Sequence, residues 1–257
     1  MAILTRNVTG HDILEIREFI AENGPTTEED ILKVFFPGDE TDPYSSDQLK
    51  PLQDAIEFLR ETNQIIESDE GYRMHEDATP FPSPRLAVLN GIRTQIGEDC
   101  AYNDAMELMA DNSGVLFDRY GTFLDELNDN YPDQNWNDSK IRYWSRVMET
   151  IGFTKIVNHT RGGDADTLLA PKRHLMLQLL VDCSDNGQNQ LATVLALVDD
   201  KYIPAWKGGR VPAYIEQSLI TLDETDELDL RHLSDMGQSI KLGDRTVNTI
   251  EVSQVGR

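Results

Sequence analysis

Arg142, Tyr143 and Arg146 stand in a stretch whose apolar residues, Ile141, Trp144, Val147, Met148 and Ile151, recur at helical spacing. A helix over 138–151 therefore keeps its apolar side chains on one side and Ser139, Arg142, Tyr143, Arg146 and Glu149 on the other. Two guanidiniums at i and i+4, a hydroxyl and an aromatic ring are groups that reach guanine edges, phosphates and thymine methyls. Trp144 falls mid-way on the apolar side and reads as core, which removes it as a base-stacking partner for Tyr143. Lys140 lies on the same stretch, Arg161 opens the turn Arg161-Gly162-Gly163-Asp164, and Lys172-Arg173 follow the strand after that turn. The candidate nucleic-acid-binding set is thus Ser139, Lys140, Arg142, Tyr143, Arg146, Arg161, Lys172 and Arg173.

The charge around these residues departs from that of the chain. Residues 137–174 hold seven Lys and Arg against four Asp and Glu, a net of +3, whereas all 257 residues sum to −23. A local reversal of sign keeps a site for a polyanion on a protein that otherwise repels one. The plainer alternative is a solvated face whose arginines pair with acidic neighbours. Residues 9–77 are the opposite case, with five cations against nineteen anions. In the helix expected there around Leu49 to Leu59, Lys50 and Arg60 are outnumbered by Asp47, Asp54, Glu57 and Glu61. Such a face repels phosphate and suits a protein partner or water.

Enzyme chemistry finds little support. Pro132-Asp133 followed by Asp138-Ser139-Lys140 superficially matches the PD…D-x-K pattern of metal-dependent nucleases, but the gap is too short to place its parts on adjacent strands. His11, His75, His159, His174 and His232 are isolated, with no H-x3-H or H-E-x-x-H spacing. Gly208-Gly209 lacks the following Lys-Ser/Thr of a phosphate loop and reads as a turn. The run from Asp223 to Asp229 reads as a solvated segment, and Asp164-Ala165-Asp166 as the end of a turn. The expectation is a non-enzymatic protein with no cofactor and no metal.

The elements that must position these residues come in a repeated order. Ile13, Leu14, Ile16, Phe19 and Ile20 mark one helix after Thr9, ended by Asn23-Gly24-Pro25; Thr27 and three acids open a second; Leu49, Leu52, Ile56 and Leu59 mark a third, with Pro51 confined to its first turn. A hairpin, 64–68 and 72–75, flanks Asp69-Glu70-Gly71. After the proline-rich 80–84 and a connecting helix through Leu86 to Ile96, the order returns. Helices are expected at 102–109, 115–127 and 138–151, and strands at 153–158 and 167–170. A third, weaker round has helices at 175–181, 191–198 and from Pro212, a short 228–236 segment, and strands at 239–242 and 246–252. Leu14, Phe19, Leu52, Leu59, Trp144, Met148 and Leu175 are expected to be buried.

Three helices followed by a small hairpin resembles the winged helix-turn-helix superfamily. The resemblance rests on element order and implies a mainly α fold with small β-hairpins (α+β), built from tandem winged-helix domains: unit 1 at 1–79, a connector helix at 80–97, unit 2 at 98–172 and unit 3 at 173–257. It also implies that the third helix of a unit enters the major groove and the hairpin touches flanking phosphates.

The 46 acidic residues are dispersed along the chain, which resembles the composition of proteins from salt-loving archaea. Cys100 and Cys183 stand far apart, give no disulfide framework, and suit a reducing, cytoplasmic setting. The first ten residues show no apolar run of an export signal, and the longest apolar stretches are too short to span a bilayer, so no membrane partner is expected. The function implied is a DNA-binding protein whose middle unit contacts double-stranded DNA, with a protein partner through the acidic first unit. The alternative is a protein-docking subunit of a larger DNA-processing or transcription complex.

Overall fold

The computed structural model describes residues 10–35, 46–94, 101–111, 116–117, 119–157, 166–235 and 237–253. One order of elements occurs three times. It begins with α1 (Gly10–Asn23), α2 (Glu28–Phe35), α3 (Ser46–Glu61), β1 (Ile65–Ser68) and β2 (Gly71–Met74). Thr26, between the first two helices, bridges Tyr72 on β2, and β2 pairs antiparallel with β1. The short 3-10 turn Glu76–Ala78 and α4 (Pro84–Arg93) follow. The second round is α5 (Ala101–Asp111), β3 (Leu116–Phe117), α6 (Arg119–Asn130), α7 (Asp138–Ile151), β4 (Thr154–Val157) and β5 (Asp166–Leu169), with sheet order β3-β5-β4. The third is α8 (Arg173–Asp182), β6 (Gln188–Gln190), α9 (Leu191–Lys201), α10 (Ala213–Glu224), β7 (Leu228–Arg231), the hairpin β8 (Ile240–Leu242) and β9 (Arg245–Val247), and β10 (Thr249–Val252). Its main sheet runs β6-β10-β7. In each round the last strand lies between the first extended segment and the strand that follows the third helix. The class is α+β, helices with small antiparallel sheets.

By its contacts the chain gathers into two compact units, Met1–Tyr102 with Pro132–Ile151, and Asn103–Tyr131 with Gly152–Arg257. Helix α7 and the strands β4 and β5 that follow it therefore fall in different units. Among the described residues no helix is long and apolar enough to cross a membrane.

In the first unit α1 packs against α3, α4 and α7. Its core includes Ile13, Ile16, Ile20, Leu52, Phe58, Leu59 and Trp144. Trp144 Nε1 donates to the carbonyl of Tyr102 at 3.1 Å, and Phe58 meets the Tyr102 ring edge-on at 5.6 Å. Leu14 and Phe19, expected in the core, are only half-buried. The buried stripe of α1 runs through Ile13, Ile16, Arg17 and Ile20, and Phe19 instead stands edge-on to Phe35 at 5.8 Å. Arg17 is the polar centre of this core. Its Nε donates to Gln64 Oε1 at 3.0 Å and its Nη2 to the carbonyl of Ala78 at 2.8 Å, while Gln64 Nε2 donates to the carbonyls of Thr62 and Ala87. Burial lowers the Arg17 pKa from its usual value, yet with both carbonyl-type acceptors in place the guanidinium is hydrogen-bonded rather than stranded.

Local chemistry explains the helix ends. Thr27 Oγ1 accepts from the backbone N–H of Asp30, and Asp30 Oδ2 accepts from the N–H and hydroxyl of Thr27, a reciprocal cap that holds the Asp30 carboxyl below its usual pKa. Ser83 Oγ caps α4 through the N–H of Leu86, with Pro84 at the first helical position. Pro51 stands inside α3, one turn later than expected, because α3 already starts at Ser46. The expected helix over 115–127 begins instead as strand β3, and α6 starts at Arg119. Leu116 pairs with Leu168 in the sheet, a long-range partner that local periodicity does not reveal.

In the second unit Phe153 meets the Tyr214 ring edge-on at 5.7 Å, and the Tyr214 hydroxyl donates to the carbonyl of Pro204. Asp223, expected in a solvated run, is pinned: it accepts from the N–H of Leu230 at 2.9 Å and from Arg245 at 2.7 Å. Lys207 Nζ pairs with Glu107 and Asp111. Gly208 and Gly209, at φ of 55° and 83°, close the two-residue turn between Lys207 and Arg210. The segment expected over 228–236 is strand β7 as far as Arg231, and the strand expected over 246–252 is broken at Asn248.

Asp104 on α5 is pushed up to about 6 by burial. The folded state thus holds a proton that the unfolded state has released, so this group's contribution to stability is full below about pH 4 and is lost as pH rises to about 6. Asp104→Asn should raise stability at pH 7 by about 1 kcal/mol, allowing for solvent screening, with the gain vanishing below about pH 4. Denaturant melts of both proteins across pH 4 to 8 check this; a constant difference across that range would refute the assignment.

Candidate nucleic-acid interface

Asn137 sets the start of α7, its Oδ1 accepting from the N–H of Lys140 at 3.1 Å. From there Ile141, Trp144, Ser145, Val147, Met148 and Ile151 are buried. Ser139, Arg142 and Arg146 are exposed, and Tyr143 and Glu149 are half-buried at the edge of that face. Among the described residues Arg142 and Arg146 form no ion pair, so their guanidiniums remain available to a ligand. Lys140 is turned away from that role. Its Nζ donates to the carbonyl of Gln134, and burial lowers its pKa.

The remaining candidates are dispersed. Arg161 lies outside the described residues. Lys172 is exposed, and its backbone N–H donates to the carbonyl of Gly152 at 2.7 Å. Arg173 is tied to Glu227, whose carboxylate raises its pKa. Ser139 to Arg146 belong to the first compact unit, Lys172 and Arg173 to the second. Lys155, exposed on β4 beside buried Thr154, is a further cation of the same basic stretch. The alternation of a strand turns Lys155 outward as Thr154 turns inward.

No family model, curated protein or solved structure matches the chain.

The corresponding helices of the other two rounds differ from α7 in charge. On α3, Arg60 is engaged by Glu57 and Glu67, leaving Lys50 among several carboxylates. Helix α10 has no Lys or Arg at all, and its flank is occupied by its own hairpin, where Gly243 N–H donates to Glu216 and Arg245 to Asp223. Acidic side chains are meanwhile exposed at Glu18, Glu22, Glu29, Glu67, Asp69, Glu70 and Asp77 of the first round. Their mutual repulsion grows as the screening length increases from about 3 Å at 1 M salt to about 30 Å at 0.01 M. Stability should fall as salt is lowered, read as a drop in melting temperature from molar to millimolar salt. A melting temperature independent of salt would reject the repulsion argument.

Proposed function

We propose that the chain is a tandem winged-helix protein that binds double-stranded DNA through the exposed face of α7. The winged-helix reading is supported by the strand order in each round, in which the closing strand pairs with the extended segment that precedes the second helix and with the strand that follows the third. The DNA reading is carried by one observation: Arg142 and Arg146, one helical turn apart, are exposed and free of ion pairs among the described residues, on a helix flanked by Ser139 and Tyr143. Among the described residues the large exposed apolar side chains are Val34, Val181 and Leu197, none of them on α7, so this face has the character of a phosphate and base reader rather than of a protein-docking patch. Duplex titrations across a salt series test it. The expected result is binding at low salt whose affinity falls as salt rises, at about 0.9 log units per tenfold salt for each phosphate neutralised. Folded protein that binds no duplex at low salt would overturn the reading.

A second reading, a docking subunit of a larger complex acting on DNA or in transcription, draws on the first round. There α3 is acidic, and Val34 is 53% exposed on α2. Recovery of a partner in molar salt that survives nuclease treatment would favour it.

A further inference from the structure

The chain contains three Asn-Gly pairs, Asn23-Gly24, Asn90-Gly91 and Asn186-Gly187. This dipeptide is chemically labile because glycine has no Cβ to obstruct attack by its own backbone nitrogen on the preceding amide carbon. Whether the attack occurs depends on both nitrogens being free. At the first pair, Gly24 N–H donates to the carbonyl of Ile20 at 2.8 Å and Asn23 Nδ2 donates to the carbonyl of Phe19 at 2.9 Å. At the second, Asn90 and Gly91 lie inside α4, and a Cβ at Gly91 would sit 2.1 Å from the carbonyl oxygen of Thr62, so the backbone there has no room to rearrange.

The third pair is built differently. Asn186 and Gly187 are exposed in the bend between α8 and β6, and among the described residues neither the Asn186 side chain nor the Gly187 N–H has a hydrogen-bond partner. Gly187 has a φ of 95°, and the space where its Cβ would lie is open. Asn189 fastens the bend around the pair without touching those two groups: its Oδ1 accepts from the N–H of Asp185, and its Nδ2 donates to the carbonyls of Asp185 and Gly187.

We propose that Asn186 is a site of self-modification, deamidating through a cyclic imide while Asn23 and Asn90 remain intact. The deprotonated Gly187 nitrogen forms a bond to Asn186 Cγ, the Cγ–Nδ2 bond breaks, and Nδ2 leaves as ammonia with the transferred proton. Water then opens the ring at either carbonyl. Opening at one side leaves aspartate; opening at the other leaves isoaspartate, which adds a methylene to the main chain two residues before β6 pairs with β10. Either product adds one negative charge.

The test incubates the full chain, folded in molar salt at mildly alkaline pH, and follows each pair by peptide mass spectrometry with isoaspartate resolved by chromatography. The expected result is conversion at Asn186 at least about tenfold faster than at Asn23 or Asn90, since reaction at those sites must wait for local opening, and each tenfold corresponds to about 1.4 kcal/mol of opening free energy. In denaturant the three rates should converge, which assigns the selectivity to the fold. Asn186→Gln should abolish the fast phase, because its longer side chain closes the ring poorly. Equal rates in the folded protein, or faster conversion at Asn23 or Asn90, would overturn the proposal, as would an inert Asn186 in folded protein whose denatured form reacts.

Discussion

Gly91→Ala should lower the free energy of unfolding by about 3 kcal/mol or more, the cost of forcing an atom into a filled core against main chain that has nowhere to go. The added Cβ would lie 2.1 Å from the Thr62 carbonyl oxygen and 2.7 Å from Gln64 Nε2. Those two groups are bonded to one another at 2.9 Å, and Gln64 in turn holds Arg17. Moving α4 outward to relieve the clash breaks the bond from Gln64 Nε2 to the Ala87 carbonyl; moving Gln64 takes the Nε acceptor from the buried Arg17 guanidinium and leaves it the Ala78 carbonyl. The substitution therefore acts through the polar centre of the core as well as through volume. Urea titration in molar salt reads the loss as a lower midpoint at unchanged slope. A loss under about 1 kcal/mol would mean that α4 is not seated on Thr62.

The second large effect is on binding. Replacing Arg142 and Arg146 together with alanine should weaken duplex affinity by about 2–4 kcal/mol, on a scale of about 1–3 per good base contact, and leave the fold unchanged. Both side chains point away from the buried stripe of Ile141, Trp144, Val147 and Met148, so their removal exposes no core. Arg173 provides the contrast: replacing it should change the salt dependence of binding little, because Glu227 already neutralises it. A double alanine protein that is folded and binds as tightly as the parent would remove α7 from the interface.

Much of this was legible in the residues because the informative patterns are local. The α7 stripe, from Ile141 to Ile151, recurs every three or four positions, and the five apolar residues assigned to it are all buried. The turn at Gly208-Gly209 and the hairpin between β1 and β2 follow from glycine and from alternation within a few residues. What was not legible depends on partners far along the chain. Leu116 becomes a strand only because Leu168 is opposite it, and Asp223 ceases to be a solvated acid only because Arg245 and the Leu230 N–H converge on it. The same is true of the candidate site: Arg142 and Arg146 were placed on an exposed face by periodicity alone, but that Lys140 is spent on Gln134 and Arg173 on Glu227 required knowing where those acceptors lie.

Asn248 holds the base of the excursion between β7 and β10. Its side chain donates to the carbonyl of Leu233 and accepts the Leu233 N–H, while its main chain bonds Arg231 and Leu191. The chain thus leaves and re-enters the β6-β10-β7 sheet at one closed gate; among the described residues beyond it, Gly243 and Arg245 are held by Glu216 and Asp223 of α10, and Ile240, Leu242 and Val247 are buried. A loop closed at its root by a side chain is a cassette. Its exposed turn at Gly243-Asp244 can vary without unravelling the sheet to which it is attached, whereas the strands on either side cannot, because Ile240, Leu242 and Val247 fill the core beneath them.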